Sequence, residues 1–339
     1  MIRFQPTLLR SGLLLALAIT LVGCAGESSD GSVTASTESS NERHFLSIGT
    51  APPGGAFFPV GSAIAETLND HPIDGTWDVT AEATKGTQEN IRRLRSGELD
   101  LAMANSAISY FASRGSDGWD AVYDVRAVAT IAPNVAMFIS LAGSDVTTVA
   151  DLAGRRVVVG PEGAGFEYFI RPLLAAHDLT YDDFSPLYGT QTAAVDMLSD
   201  RSAAAAFLGG AVPTASITQA SSSQEIHFVP FDDEAKQSLM DAYPFFRPAT
   251  IPAETYRGQT KAYEGLDVGS MHLITYASVD EDLVYRLTRS IYENRAEIAA
   301  KHPAGKAINP KNAIRDTGID FHPGAIRFYK EIGVWPEDR

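Results

Sequence analysis

From residue 45 onward, short apolar stretches alternate with stretches whose apolar residues recur at helical spacing, and this alternation restricts the fold more than any other feature of the chain. Segments 45–49, 77–83, 99–104, 127–131, 135–141, 155–160, 203–208, 226–229 and 268–276 read as strands. Between them, a helix opening at Pro59 places Val60, Ile64 and Leu68 on one face. Segment 87–96 reads as a helix with Thr87 as N-cap and Gly97 just past its end. Further helices are expected at 106–112, 166–176 and 191–199, then a long amphipathic one over 280–300 and a last one over 325–332. This order predicts an α/β architecture with mainly parallel sheets. A chain of 339 residues, 45% of them hydrophobic, is long enough for two lobes.

Ahead of this body lies a segment of a different kind. Arg3 and Arg10 precede the apolar run 13–22, LLLALAITLV, which is too short to span a bilayer and has the size of a signal-peptide core. Small residues then lead to Cys24, the chain's one cysteine, in the pattern of a cleaved and lipidated bacterial lipoprotein. A lipoprotein signal peptide is therefore expected over 1–23, with lipid on Cys24 and palmitate among its acyl chains. Residues 25–43, rich in Ser, Thr and Gly, read as a flexible tether that holds the body near a membrane. A lone cysteine excludes an intrachain disulfide and a thiolate zinc site. A formal charge of −15 argues against nucleic acid as a partner.

In parallel sheets, ligands sit beyond the carboxyl ends of strands. The loops to inspect are therefore 50–57, 84–87, 105–106, 133–134, 161–166 and 209–210. Several open onto a helix N-terminus, where free N–H groups and the helix dipole favour an anion. In the first, Thr50, Gly54, Gly55 and Phe57 suit either close contact with a ligand or a glycine-dependent turn with its aromatics in the core. In the second, Thr84, Lys85 and Thr87 suit either a carboxylate partner or a capped helix with a solvated lysine. The loop Gly160–Phe166 lacks the glycine spacing of a dinucleotide site. No nucleophile elbow, zinc-binding helix or Walker loop is present, and the seven histidines have no ligand spacing, so neither a catalytic residue, a metal nor a cofactor is expected.

Six stretches, in order, resemble the TAXI-type solute receptors of TRAP (tripartite ATP-independent periplasmic) transporters. They are IGTAPPGGAFFPVG from Ile48, ATKGTQENI from Ala83 with SGELDLA from Ser96, DLAGRRVVVG from Asp151, IPAETYRGQ from Ile251, Val284-Tyr285 with Tyr292-Glu-Asn294, and HPGAIRFYKEIG from His322. The resemblance spans about residues 45–333. It implies a two-lobe periplasmic binding protein of type II-like fold with a ligand cleft between lobes. The first lobe would comprise 44–140 and 268–339, and the second 141–267. It further implies that a small organic acid (an amino acid, a dicarboxylate or another carboxylate) is captured in the cleft and passed to a TRAP permease in the inner membrane. The receptor itself would be non-enzymatic.

From the strand-end loops and the resemblance together, the expected ligand-binding positions are Thr50, Gly54, Gly55, Phe57, Thr84, Lys85, Thr87, Asn105, Asn134, Gly163, Ala164, Gly165, Phe166, Gln191 and Gly209. Some positions depart from the family pattern. Ala51-Pro52-Pro53 replaces residues richer in glycine and hydroxyls, Phe57 stands for tyrosine, Asn105 for glutamine, and Gly163-Ala-Gly165-Phe166 for Gly-Ser-Gly-Thr. Such losses imply a more apolar cleft, and a carboxylate with an apolar or aromatic body whose acid group lies near Lys85 and Thr87. Two other readings compete: a surface lipoprotein scaffold without a ligand, and an enzyme on the same two-lobe fold.

Overall fold

The computed structural model describes residues 43–116 and 118–337. The expected signal peptide, the lipidated Cys24 and, apart from Arg43, the tether lie outside the described residues. The chain begins with β1 (Arg43–Gly49), α1 (Phe57–Asp70), β2 (Thr76–Glu82), α2 (Thr87–Ser96), β3 (Leu101–Asn105), α3 (Ser106–Ala112) and β4 (Val125–Ala132). It continues with β5 (Val135–Leu141), β6 (Arg156–Val158), α4 (Glu167–Ala175), β7 (Ser185–Leu187), α5 (Gln191–Ser199), β8 (Ala205–Gly210), α6 (Ala215–Ser223), β9 (Ile226–Phe228), α7 (Asp233–Ala242), β10 (Phe246–Ile251) and β11 (Tyr263–Val268). It closes with β12 (Met271–Tyr276), α8 (Glu281–Glu293), α9 (Arg295–Lys301), α10 (Pro310–Ala313) and α11 (Pro323–Glu331).

These strands form two sheets, ordered β2-β1-β3-β12-β4 and β10-β11-β5-β8-β6-β7, with β9 paired to β5. The expected α/β architecture is borne out, in two sheets. The expectation of mainly parallel sheets is not. β1 runs parallel to β2 and β3, and β6 to β7 and β8, but β12, β5, β9, β10 and β11 make antiparallel pairs. Strand–helix alternation says nothing about strands that leave one sheet and enter the other, and those run against their neighbours. The chain changes sheet at Pro133-Asn134 rather than near Leu141, because Val135–Leu141 pairs with β8 and β9. It returns through Gly269-Ser270, which divides the single strand expected over 268–276 into β11 and β12.

Local chemistry accounts for the remaining differences. Thr87 is the first residue of α2 rather than its cap, since its hydroxyl accepts the backbone N–H of Asn105 at 3.0 Å and Gly86, at φ 124°, makes the turn instead. Gly97 ends α2 in the left-handed conformation expected of it. The long helix over 280–300 breaks at Asn294, whose side chain donates to the Ser290 carbonyl at 2.9 Å and so competes with the helical ladder.

Each sheet buries its own apolar set. Val60, Ile64 and Leu68 of α1 are buried beside β2 and β3, with Ile48, Leu101 and Met103. In the second sheet Met137, Phe138 and Ile139 face Phe207 and Leu208, and the Phe138 and Phe207 rings meet edge-on at 5.0 Å. Burying one such side chain contributes roughly 1.5–3 kcal/mol. His272 on β12 is fully buried, with Nε2 2.9 Å from Ser109 Oγ and Nδ1 3.3 Å from Thr317 Oγ1. Burial keeps the ring neutral and pulls its pKa from 6.5 to about 3.

A depressed histidine pKa stabilises the fold above the unfolded value near 6.5, and that stability is lost as pH falls toward 3, at up to about 1.4 kcal/mol per pH unit. Melting curves between pH 7.5 and 4.5 should therefore show a shallower acid decline for His272→Gln than for the unaltered chain. Equal slopes would mean that the ring is not held neutral.

Candidate functional site

Because β1, β2 and β3 share one direction, and β6, β7 and β8 another, the loops after each set leave from one sheet end. The two sets meet around a single cavity. Its wall carries Pro52, Gly55 and Phe57 from the first loop, Lys85, Gly86 and Thr87 from the second, and Asn105 and Ile108 from the third. Asn134, Pro161, Phe166, Phe169, Thr190, Gln191, Phe207 and Gly209 complete it from the other side. The space that admits the centre of a water-sized sphere is about 70 Å³. One water needs ~10–15 Å³ by this measure, so several small groups fit. A larger groove of about 340 Å³ runs between β9 and the 257–263 segment, but residues of the second sheet and its loops alone line it.

The polar groups of the wall divide into those already engaged and those free. The Asn105 amide accepts from Ala107 N at 2.8 Å and Ile108 N at 3.4 Å, and donates to the Gly269 and Val268 carbonyls at 2.9 and 3.3 Å. It ties α3 to the chain's return passage. Gln191 donates to the Gly209 carbonyl at 2.8 Å and accepts from Gly209 N and from Ser216 Oγ at 2.6 Å, so it braces the wall. Thr87 accepts from Asn105 N, and Thr190 caps α5 by accepting Ala193 N at 3.2 Å; each hydroxyl keeps its proton to donate. Among the described residues, the Lys85 ammonium has no ion-pair partner and the Asn134 side-chain amide has no hydrogen-bond partner. The first turns of α1, α2 and α5 also meet the cavity, at Ala56-Phe57, Gly86-Thr87 and Thr190-Gln191. Their partial positive ends add to the charge of Lys85.

The amino-acid sequence matches the NMT1-like family over residues 48–333. The chain belongs to the NMT1-like family. Among solved structures, this NMT1-like chain is similar to a binding protein component of an ABC phosphonate transporter from Pseudomonas aeruginosa, at 10% identity over 78% of this chain and 79% of that one, with a TM-score of 0.52. It is also similar to a protein from Bordetella bronchiseptica RB50, at 16% identity over 87% and 90% of the two chains, with a TM-score of 0.50. These likenesses establish the fold.

Of the positions singled out in the sequence, Gly55, Phe57, Lys85, Thr87, Asn105, Asn134, Phe166, Gln191 and Gly209 line the cavity. Thr50, Gly54, Thr84, Gly163, Ala164 and Gly165 do not. Thr50 and Thr84 are buried beneath it, Thr50 donating to the Glu82 carbonyl at 2.6 Å and Thr84 to the Thr50 carbonyl at 2.8 Å. Gly54 sits at φ 102°, and a Cβ there would lie 2.6 Å from Thr192 Oγ1. Ala164 is buried, and its carbonyl accepts Gln88 N across the cleft at 3.4 Å. Thr190, Phe169, Phe207 and Ile108 escaped the sequence reading. A Thr directly ahead of a helix, and a second Phe one turn after Phe166, were the available signals.

The two halves of the cleft are clasped by rings. Tyr168 of α4, 5% exposed, lies between Phe111 of α3 at 5.7 Å and Trp119 at 5.7 Å, stacked on both. Its hydroxyl accepts from Gln88 Nε2 at 3.3 Å. Replacing a buried aromatic by alanine costs about 3–5 kcal/mol. Tyr168→Ala should therefore lower the melting temperature and shift tryptophan emission to longer wavelength as Trp119 becomes wetted, whereas Tyr168→Phe should leave the emission maximum in place. An unchanged emission maximum in the alanine variant would show that the stack does not exist in solution.

Proposed function

We propose that this chain is a non-enzymatic, extracytoplasmic solute receptor of the TAXI type, which captures a small organic acid between its lobes and delivers it to a TRAP permease. The observation that carries this reading is a cavity at which loops from both sheets meet, with Lys85 the one charged residue among the described residues that line it and three helix N-termini beside it. A solute there touches both halves, and only contacts with both can favour the closed arrangement. The acid group is assigned to Lys85 and the Thr87 hydroxyl, and the apolar body to Phe57, Phe166, Phe169 and Phe207. Among the described residues, no histidine or acidic side chain lines the cavity to serve as a base for the two threonine hydroxyls. The order of the six family-like stretches, spread over nearly the same residues as the family match, supports the receptor assignment.

In this reading residues 1–23 are removed, Cys24 carries the lipid in a membrane facing the periplasm, and residues 25–43 form the tether. Among the described residues no helix is long and apolar enough to cross a membrane, and the lipid on Cys24 is the attachment in this reading. Cys24→Ser should abolish labelling by radioactive palmitate and move the protein from the membrane to the soluble fraction. Persistent labelling would refute the anchor.

The receptor reading is tested by thermal shift of the purified chain, refolded to strip carried solute, against a library of carboxylic acids. A ligand at 100 times its Kd adds ~2.7 kcal/mol of stability. A hit should bind about tenfold or more weakly to Lys85→Ala, the equivalent of one charge-assisted hydrogen bond, and should weaken with added salt. Binding that is indifferent to Lys85 would remove the acid anchor, and the absence of any hit would favour the ligand-free scaffold.

A further inference from the structure

The cavity wall has an asymmetry that bears on which acids it accepts. Among the described residues it contains a cation, Lys85, and hydroxyls with free protons at Thr87 and Thr190, but no aspartate or glutamate. The nearest acidic groups along the chain are engaged or do not line the cavity. Glu82 pairs with Arg93 at 2.7 Å, and Glu89 accepts from the Lys85 backbone N–H. Glu162 is exposed. Asp267, next to the Asn134 passage, is 2% exposed and accepts from Asn134 N and Ser270 Oγ, with Arg315 at 3.7 Å. The carbonyls of Asn105 and Gly209 already accept Ser109 Oγ and Gln191 Nε2. The phenylalanines do not form a cage for a cation, because Phe166 packs on Phe169 at 5.1 Å and Phe169 on Phe207 at 5.7 Å.

An ammonium group moved from water into such a site loses its hydration and gains no anion. It also meets the positive ends of α1, α2 and α5. A carboxylate meets the opposite situation. We propose that the solute is a carboxylate without an ammonium group (a 2-oxo, 2-hydroxy or unsubstituted acid) and that the cavity rejects the amino acid built on the same carbon skeleton. This rests on the acid-receptor reading above and narrows its substrate class.

The test is calorimetric titration of the full-length chain with three matched series. They are 3-phenylpropionate, phenylpyruvate, 3-phenyllactate and phenylalanine; 4-methylpentanoate, 4-methyl-2-oxopentanoate and leucine; and glutarate, 2-oxoglutarate and glutamate. The expected result is that in at least one series an acid lacking nitrogen binds 100-fold or more tightly than its amino-acid counterpart. Asn134→Asp, a near-isosteric change that brings a carboxylate to the wall, should narrow that gap tenfold or more. An amino acid that binds the unaltered chain as tightly as its nitrogen-free counterparts overturns the exclusion and leaves the acid-receptor reading standing. If no member of any series binds, the acid reading itself fails, and the exclusion with it.

Discussion

Two short passages of backbone connect the halves of this molecule, and the buried carboxylate of Asp267 holds them side by side. Val268 N donates to the Asn134 carbonyl at 3.0 Å, and Asn134 N donates to Asp267 Oδ1 at 3.0 Å, so the outgoing and returning strands are bonded to each other where they cross. Burial pushes the Asp267 carboxyl up to about 6, against the opposing pull of Ser270, Asn134 N and Arg315. Arg315 donates to Ser270 Oγ, which in turn donates to Asp267. The Asn105 amide reaches the same place from β3. Everything that lines the cavity is positioned by the sheets on either side of this knot, so its geometry sets how the two walls face each other.

The cavity is apolar for reasons visible residue by residue. Two amides that face it, those of Asn105 and Gln191, are consumed in holding the backbone around it. Their polarity is directed inward to the protein, and what remains for a solute is a few donors on an aromatic wall. That division explains how a site built from strand-end loops, which are rich in polar backbone, can still offer mainly carbon surface.

Much of this architecture can be read in the chain. The helices Ser106–Ala112 and Gln191–Ser199 and the strand Val135–Leu141 fall where the alternation of strand-like and helix-like stretches places them. The six loops chosen because they follow strands do converge, since parallel strands put their ends together. Strand direction and the sheet change at Pro133-Asn134 were not legible, because an apolar run looks the same in either sheet and in either direction. Hydroxyls misled in a consistent way. Thr50 and Thr84 have the right chemistry for a ligand, but each satisfies a neighbouring carbonyl under the floor of the site, and nothing in a sequence separates a hydroxyl facing a cavity from one facing a backbone. The phenylalanines Phe169 and Phe207 were hidden by the opposite ambiguity, being indistinguishable from core.

The ring sandwich around Tyr168 bears on timing as well as stability. Its two stacked faces and its hydroxyl contact all belong to one side chain, so none can be released without disturbing the others. Close-packed contacts of this kind have a made state and a broken state, with little between them. Any separation of the halves must break this stack as one discrete event, and its cost adds to that of releasing whatever the cavity holds.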